Sequence, residues 1–269
     1  MNILYFDCMS GISGDMAVGA FLDMGIEPAA LAKELSKVPI PAVYDIESEK
    51  TEKNHVMATA FRVIPSKVQQ EYVWEELRQT VAVSGLSEEA KKTVLRIMRI
   101  YGEAVARIAG CDAKNLVFPG KEAMVTLVNV LSVSVCVDWL SPDAVVCSPL
   151  TEGAGFAETH FGMMRVPVPA VLEMMRKTGA PLEICGEKTQ LITPTGAAIA
   201  CGLAQRFDEL PSMTVSAVGF GAGTKDLDTR ANVLRAILGR NESRFFEESV
   251  CVIDTQIPWY AGGFLSSCE

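Results

Sequence analysis

The feature that most limits what this chain can become is the apolar stretch at 124–140, MVTLVNVLSVSVCVDWL, which Asn129 and Asp138 interrupt. It falls short of the ~20 residues that cross a bilayer. It is therefore expected to be an element buried in a core, and no membrane is expected as a partner. With 269 residues and 49% hydrophobic content, the chain has enough apolar material for one large domain or two modest ones.

The remaining pattern is of mixed α and β type. Residues 2–6 read as a short strand ending at Asp7, followed by Ser and Gly punctuation and a helix whose apolar positions Val18, Phe21, Leu22 and Ile26 recur at helical spacing, with Gly25 as its stop. A second short helix at 28–37 leads to two extended segments, 42–49 and 55–64, joined by a charged turn at 50–54 and closed by Pro65. Two helical patterns, 70–82 and 87–109, break at Ser84-Gly85, and Ser87 caps the second ahead of Glu88 and Glu89. A strand at 144–147, a loop at 148–157, a helix at 169–178, a helix capped by Thr193 or Thr195 and running to Phe207, and strands at 213–219 and 231–237 complete the pass. The fold class is α/β in the mixed α+β sense: mixed sheets with a helical hairpin inserted at about 70–110. The expected division is 1–240 as one region and 241–269 as the start of a truncated C-terminal domain or a tail, because a strand-like 250–254 runs into IPWYAGGFLSSCE, which has no periodicity.

Charge narrows the function classes. A formal charge of −9, with no Lys/Arg-rich block, repels a polyanion at long range, so nucleic acid is not expected as a partner. A small anion is different, because backbone N–H groups and a few local cations hold one whatever the overall charge. The eight cysteines show no C-x-x-C pair and no zinc-finger spacing, so they read as buried, reduced thiols. The N-terminus has no basic region before Asp7, and a cytoplasmic location follows.

Three polar segments stand out. In DCMSGISGDM (7–16), Ser10, Gly11, Gly14, Asp7 and Asp15 surround a loop that feeds a helix N-terminus, where phosphate or metal would be accommodated; a capped strand-to-helix turn, with Ser13 or Asp15 as the cap, uses the same residues. In LITPTGAAI (191–199), Thr193, Pro194, Thr195 and Gly196 make an anion-friendly cup, though Thr-Pro-Thr-Gly is also ordinary capping chemistry. In GFGAGTKDLDTRANVLR (219–235), Gly221, Gly223, Thr224 and Lys225 are expected in a loop, with Arg230 near the following strand; a glycine-rich hairpin is the plainer account. His160 lies before Gly162, and two histidines exclude a His-rich metal site, while one His joined by Asp or Glu oxygens remains a ligand set for a transition metal.

Taken in order, YFDCMSGISGDMAVGAFLDMG, HFGMMRVPVP, TPTGAAI and GFGAGTKDLDTRANVLR resemble the LarC family of nickel-insertion proteins, over roughly residues 1 to 255. The resemblance implies insertion of nickel into pyridinium-3,5-bisthiocarboxylic acid mononucleotide, in a CTP-dependent reaction that makes a nickel-pincer cofactor. By the same analogy Asp7, Asp15 and His160 hold or pass the metal. Ser10, Gly11, Gly14, Thr193, Pro194, Thr195, Gly196, Gly221, Gly223, Thr224, Lys225, Arg230 and Asn232 face the nucleotide.

The departures from the family pattern are local. Val117-Phe118-Pro119-Gly120-Lys121-Glu122-Ala123 stands where the family typically has His-Phe-His-Glu-Val-Gly-Ala, Val125 and Asn129 stand where it has aspartates, and Ala231 replaces a usual proline. Longer members continue into a C-terminal domain associated with the nucleotide. The expectation is thus an N-terminal portion that acts with a C-terminal partner chain or as a full-length frame-shift product, with CTP bound in that further domain and homo-oligomerisation open. The alternatives are a degenerate paralogue that binds a mononucleotide without inserting metal, and a scaffold or nickel-delivery subunit that docks through its apolar tail.

Overall fold

The structure is a computed structural model that describes residues 1–159 and 162–241. In chain order the elements are β1 (Asn2–Asp7), α1 (Gly14–Asp23), α2 (Pro28–Leu35), β2 (Val43–Lys53), β3 (Val56–Lys67), β4 (Glu71–Val73), α3 (Trp74–Ala82), α4 (Glu88–Ala109), β5 (Val117–Pro119), α5 (Gly120–Leu140), β6 (Ala144–Cys147), β7 (Leu150–Glu152), β8 (Phe156–Thr159), β9 (Gly162–Arg165), α6 (Pro169–Thr178), β10 (Leu182–Ile184), α7 (Pro194–Leu203), β11 (Arg206–Phe207), β12 (Thr214–Ala222) and β13 (Val233–Arg240). A seven-stranded mixed sheet in the order β11-β6-β1-β13-β12-β3-β2 forms the frame, so the expected mixed α/β class holds.

The apolar stretch is a helix, α5, and its position explains its composition. It is buried nearly all round and packs against α1, α4, α7 and β3, so no polar face is required. At 21 residues it is longer than the sequence run suggested and meets the length and apolarity of a membrane span, yet 72% of its apolar window is buried inside the fold. It is the central core helix. Each large apolar side chain fully buried here, such as Phe6, Phe21 or Leu127, contributes about 1.5–3 kcal/mol.

The helical hairpin forms where its caps place it. Ser87 Oγ accepts from the Ala90 N–H at 3.0 Å, and Gly110 in the left-handed region ends α4. Trp74, Tyr101 and Phe118 pack ring against ring and tie α3, α4 and β5 together.

Several boundaries move. The strand pair β2–β3 is longer than expected, with its turn at Asn54 and His55, both at positive φ, and Pro65 stays inside β3 because it sits beside an irregularity in register between Val43 and Tyr44 on the edge strand. Short strands β7 and β10 pair within what reads as loop. Helix α7 stops at Leu203, after which the chain re-enters the sheet as β11, beside β6. Of the cysteines, Cys8, Cys136, Cys147 and Cys201 are buried as expected, but Cys111 is exposed and Cys185 half-buried; all six are free thiols. Cys251, Cys268 and the expected tail or second domain beyond residue 241 lie outside the described residues.

Candidate functional site

Two of the polar segments are laced together by backbone. The chain leaves β1 at Asp7, bends at Gly11 (φ +82°), and enters α1 through Ser13, whose Oγ accepts from the Met16 N–H at 3.1 Å. On the way the Ile12 N–H donates to the Leu191 carbonyl at 3.1 Å, and the Thr193 N–H donates back to Ile12 at 3.0 Å. Thr193 then caps α7, accepting from the Gly196 N–H at 3.0 Å. The fit leaves no room for side chains. A Cβ on Gly11 would lie 2.2 Å from the Leu191 carbonyl oxygen, and one on Gly196 would lie 2.1 Å from that of Ile12. The N-termini of α1 and α7 therefore meet, with the positive ends of both helix dipoles side by side.

What these two ends face is a polar stripe on the otherwise apolar α5. Glu122, Thr126 and Asn129 recur at the spacing of one helix face. Thr126 Oγ1 lies 3.2 Å from Thr195 Oγ1 at the start of α7, and the Tyr101 hydroxyl of α4 lies beside both Thr126 and Glu122. Asn129, 2% exposed, donates from Nδ2 to Asp15 Oδ1 at 2.8 Å, while its Oδ1 has no partner. A buried acceptor left in that state costs about 1–3 kcal/mol until a donor reaches it. Burial raises the Asp15 carboxyl above the ordinary carboxylate range, against the pull of the Asn129 amide and the more distant Arg62 charge. Sequence reasoning marked Asn129 only as standing where the family has an aspartate, and missed Glu122 and Thr126. The i, i+4, i+7 spacing of its polar members was the available signal.

A second missed residue is Glu152 at the end of β7, which has no exposed surface. Its Oε1 accepts three backbone N–H groups, from Gly153 at 2.9 Å, Leu191 at 2.6 Å and Ile192 at 3.2 Å, and its Oε2 has no partner. Burial raises this carboxyl, and the three N–H groups and the Lys225 charge offset only part of the effect. Glu152 thus holds the strand of chain that delivers Thr193 to its cap.

The third segment behaves differently from its expectation. Gly221 is not in a loop but inside β12, paired with Leu234 and Thr59 under α1, where a Cβ would lie 1.7 Å from the Met16 carbonyl oxygen. Gly223 does leave the strand, yet the Asn232 side chain fills the space beside it: a Cβ would lie 2.4 Å from Asn232 Nδ2, which donates to the Lys225 carbonyl. Thr224 is exposed. Lys225 reaches across to Thr189 Oγ1 at 2.8 Å and the Gln190 carbonyl at 3.0 Å, and Arg230 donates to the Met9 carbonyl at 2.7 Å. Ser10 Oγ donates to the Ala231 carbonyl at 2.8 Å. These contacts bring the third segment against the other two.

Of the expected metal residues, Asp7 is paired in the sheet with Arg235, whose guanidinium meets Oδ2 at 2.5 Å. Asp15, in the first turn of α1, lies at the junction. His160 lies outside the described residues. The flanking Thr159 and Met164 share a cavity of about 40 Å³ with Tyr101, Glu122 and Pro194, so the strands on either side of His160 reach the same neighbourhood. Among the described residues no three His, Cys, Asp or Glu side chains are arranged to hold a metal ion.

Comparison with known proteins gives a consistent picture. A family model described as "Nickel insertion protein" matches residues 4–266. The chain is 35% identical over 258 residues to a protein of Geotalea uraniireducens named "Putative nickel insertion protein", covering 96% of this chain and 66% of that one. A protein of Dictyoglomus thermophilum with the same name is 37% identical over 257 residues, again covering 96% and 66%. A protein of Acetivibrio thermocellus named "Pyridinium-3,5-bisthiocarboxylic acid mononucleotide nickel insertion protein" is 32% identical over 267 residues, covering 96% and 65%. The chain thus spans about two thirds of the length of these relatives. No solved structure matches it.

Proposed function

The chain belongs to the nickel insertion protein family, and on that premise we propose that it takes part in inserting nickel into pyridinium-3,5-bisthiocarboxylic acid mononucleotide. The observation that carries this reading is the convergence of residues 7–15, 191–196 and 223–232 on one polar junction. The mononucleotide supplies a phosphate for the free N–H groups at the helix ends and two thiocarboxylates as soft donors for nickel. Both oxygens of Asp7 are engaged, Oδ2 by Arg235 and Oδ1 by the Met9 N–H at 3.3 Å, and Asp15 Oδ1 is engaged by Asn129. The reading therefore rests the metal on the precursor's own sulfurs, with His160 as the imidazole that hands it over.

CTP dependence belongs to the proposal for the longer protein. The glycine-rich segment does not fit a triphosphate, because α1 covers Gly221 and Asn232 fills the space at Gly223. Calorimetry of the full chain with Ni(II), with and without the pyridinium precursor, tests the reading. Tight nickel binding that depends on the precursor is expected, and it should weaken as pH falls through the histidine range because the proton competes for the imidazole. Absence of nickel binding in both titrations sinks it.

A second reading draws on the Asn129–Asp15 bond, in which an amide N–H occupies the place a cation would take beside the carboxylate. It is a paralogue that binds the mononucleotide without inserting metal. Nucleotide affinity unchanged by nickel would favour it.

A further inference from the structure

The nickel reading uses the polar stripe of α5 only through the Asn129 amide on Asp15, and Asn129 is its most demanding member, a 2%-exposed side chain with an orphaned acceptor at the joined ends of two ten-residue helices. The groups that meet there are Asp15, Asn129 and the hydroxyls of Thr126 and Thr195. The Asp15 carboxylate repels a phosphate set directly against it. A cation fares no better beside Asp15, whose Oδ1 already faces the Asn129 N–H at 2.8 Å. The chemistry left is a neutral group that donates hydrogen bonds.

We propose that Asp15, Asn129, Thr126 and Thr195 form a subsite for the ribose hydroxyls of the mononucleotide, an inference that rests on the reading above. A carboxylate accepting from a ribose hydroxyl is how dinucleotide folds hold the same sugar. Asn129 plays two parts: its N–H fixes Asp15, and its carbonyl accepts from the second hydroxyl. The hydroxyl pair Thr126–Thr195 turns to donate or accept as the sugar requires. The phosphate then falls at the start of α7, on the far side of the sugar from Asp15, where Thr195 follows Pro194 and its N–H precedes the first bond within the helix.

The test is calorimetric titration of the full chain with nicotinate mononucleotide and with its 2′-deoxy counterpart. The wild type should prefer the ribose form by roughly tenfold, the loss expected for one hydrogen bond to a charged group. Asn129→Ala and Asp15→Asn should bring the ribose form down to the deoxy level and leave the deoxy form as it was. Thr126→Val, which keeps the shape, should do so partially, and unchanged melting curves certify folding. A preference that survives in folded Asn129→Ala and Asp15→Asn overturns the subsite, as does equal weakening of both nucleotides. Equal affinity of the wild type for both forms removes the subsite and leaves the mononucleotide reading standing, whereas binding of neither removes both. Loss of Mg(II) or Ni(II) binding in Asp15→Asn without nucleotide would make it a cation site and overturn the proposal.

Discussion

The junction of residues 7–15 with 191–196 and the segment 219–232 look alike in sequence, each with paired glycines, hydroxyls and a charge, and the fold uses them in opposite ways. At the junction, Gly11 and Gly196 let two backbones touch, so that helix ends, Thr195 and Asp15 are left facing the stripe on α5. In the other segment, Gly221 lets α1 lie on the sheet and Gly223 accommodates Asn232. The first pair of glycines brings two helix ends together beside polar side chains, and the second seats α1 and the Asn232 side chain. Glycine spacing alone does not say which neighbour a glycine admits; what lies across from the missing Cβ does.

The largest effect that would break this contrast is at Gly221. Gly221→Ala places a methyl on the Met16 carbonyl, backbone against backbone, and should cost about 3 kcal/mol or more in urea unfolding. Gly223→Ala meets only the Asn232 side chain and should cost about 1–2 kcal/mol. Equal costs would erase the distinction drawn here.

Glu152 sharpens it from the other side. Glu152→Ala strands three buried N–H groups and should destabilise by about 3 kcal/mol, while Glu152→Gln keeps an acceptor and should cost about 1 kcal/mol. If the 187–192 segment is held as described, hydrogen exchange at Leu191 and Ile192 should quicken in the Ala variant alone.

The two regions also respond to pH with opposite sign. Glu152 and Asp15 are raised by burial, so the folded chain keeps protons that the unfolded chain has released, and stability falls as pH climbs from the ordinary carboxylate range through the raised values. Asp23, under the β12 face of α1, is also pushed up by burial, but bonds from Lys50, the Phe220 N–H and Thr59 outweigh this and leave it lowered. Its contribution is present above the unfolded pKa and is lost as pH falls through the lowered one. Chemical unfolding across pH should show Glu152→Gln flattening the upper slope and Asp23→Asn the acid slope, the latter by about 1 kcal/mol. A shared direction for both would contradict the assigned causes.

The smallest effect concerns the tie between the regions. Ser10→Ala removes the bond to the Ala231 carbonyl and should cost about 1 kcal/mol, with faster exchange confined to the loop ends. No change at all would mean that the regions are held together by packing rather than by this contact.

How far the sequence could be read follows from the range of the forces involved. Ser87 and Thr193 announced their helices because capping is a bond three residues away, and the strand at 144–147 and the helix at 169–178 appear as their patterns foretold. The β2–β3 turn was misplaced because its charged residues also suit a strand at the sheet edge, where no neighbour excludes them.

The amino-acid order by itself determined the mixed class, the burial of the apolar stretch, the helical hairpin and the family, since each rests on local composition, periodicity, caps or short motifs. Only the tertiary structure decided which neighbour each glycine admits, that Glu152 anchors the Thr193 cap from the far side of the chain, and that Asn129 meets Asp15 114 residues away. Those outcomes depend on what a folded neighbour presents across a gap of a few ångströms. No pattern confined to neighbouring positions carries that information.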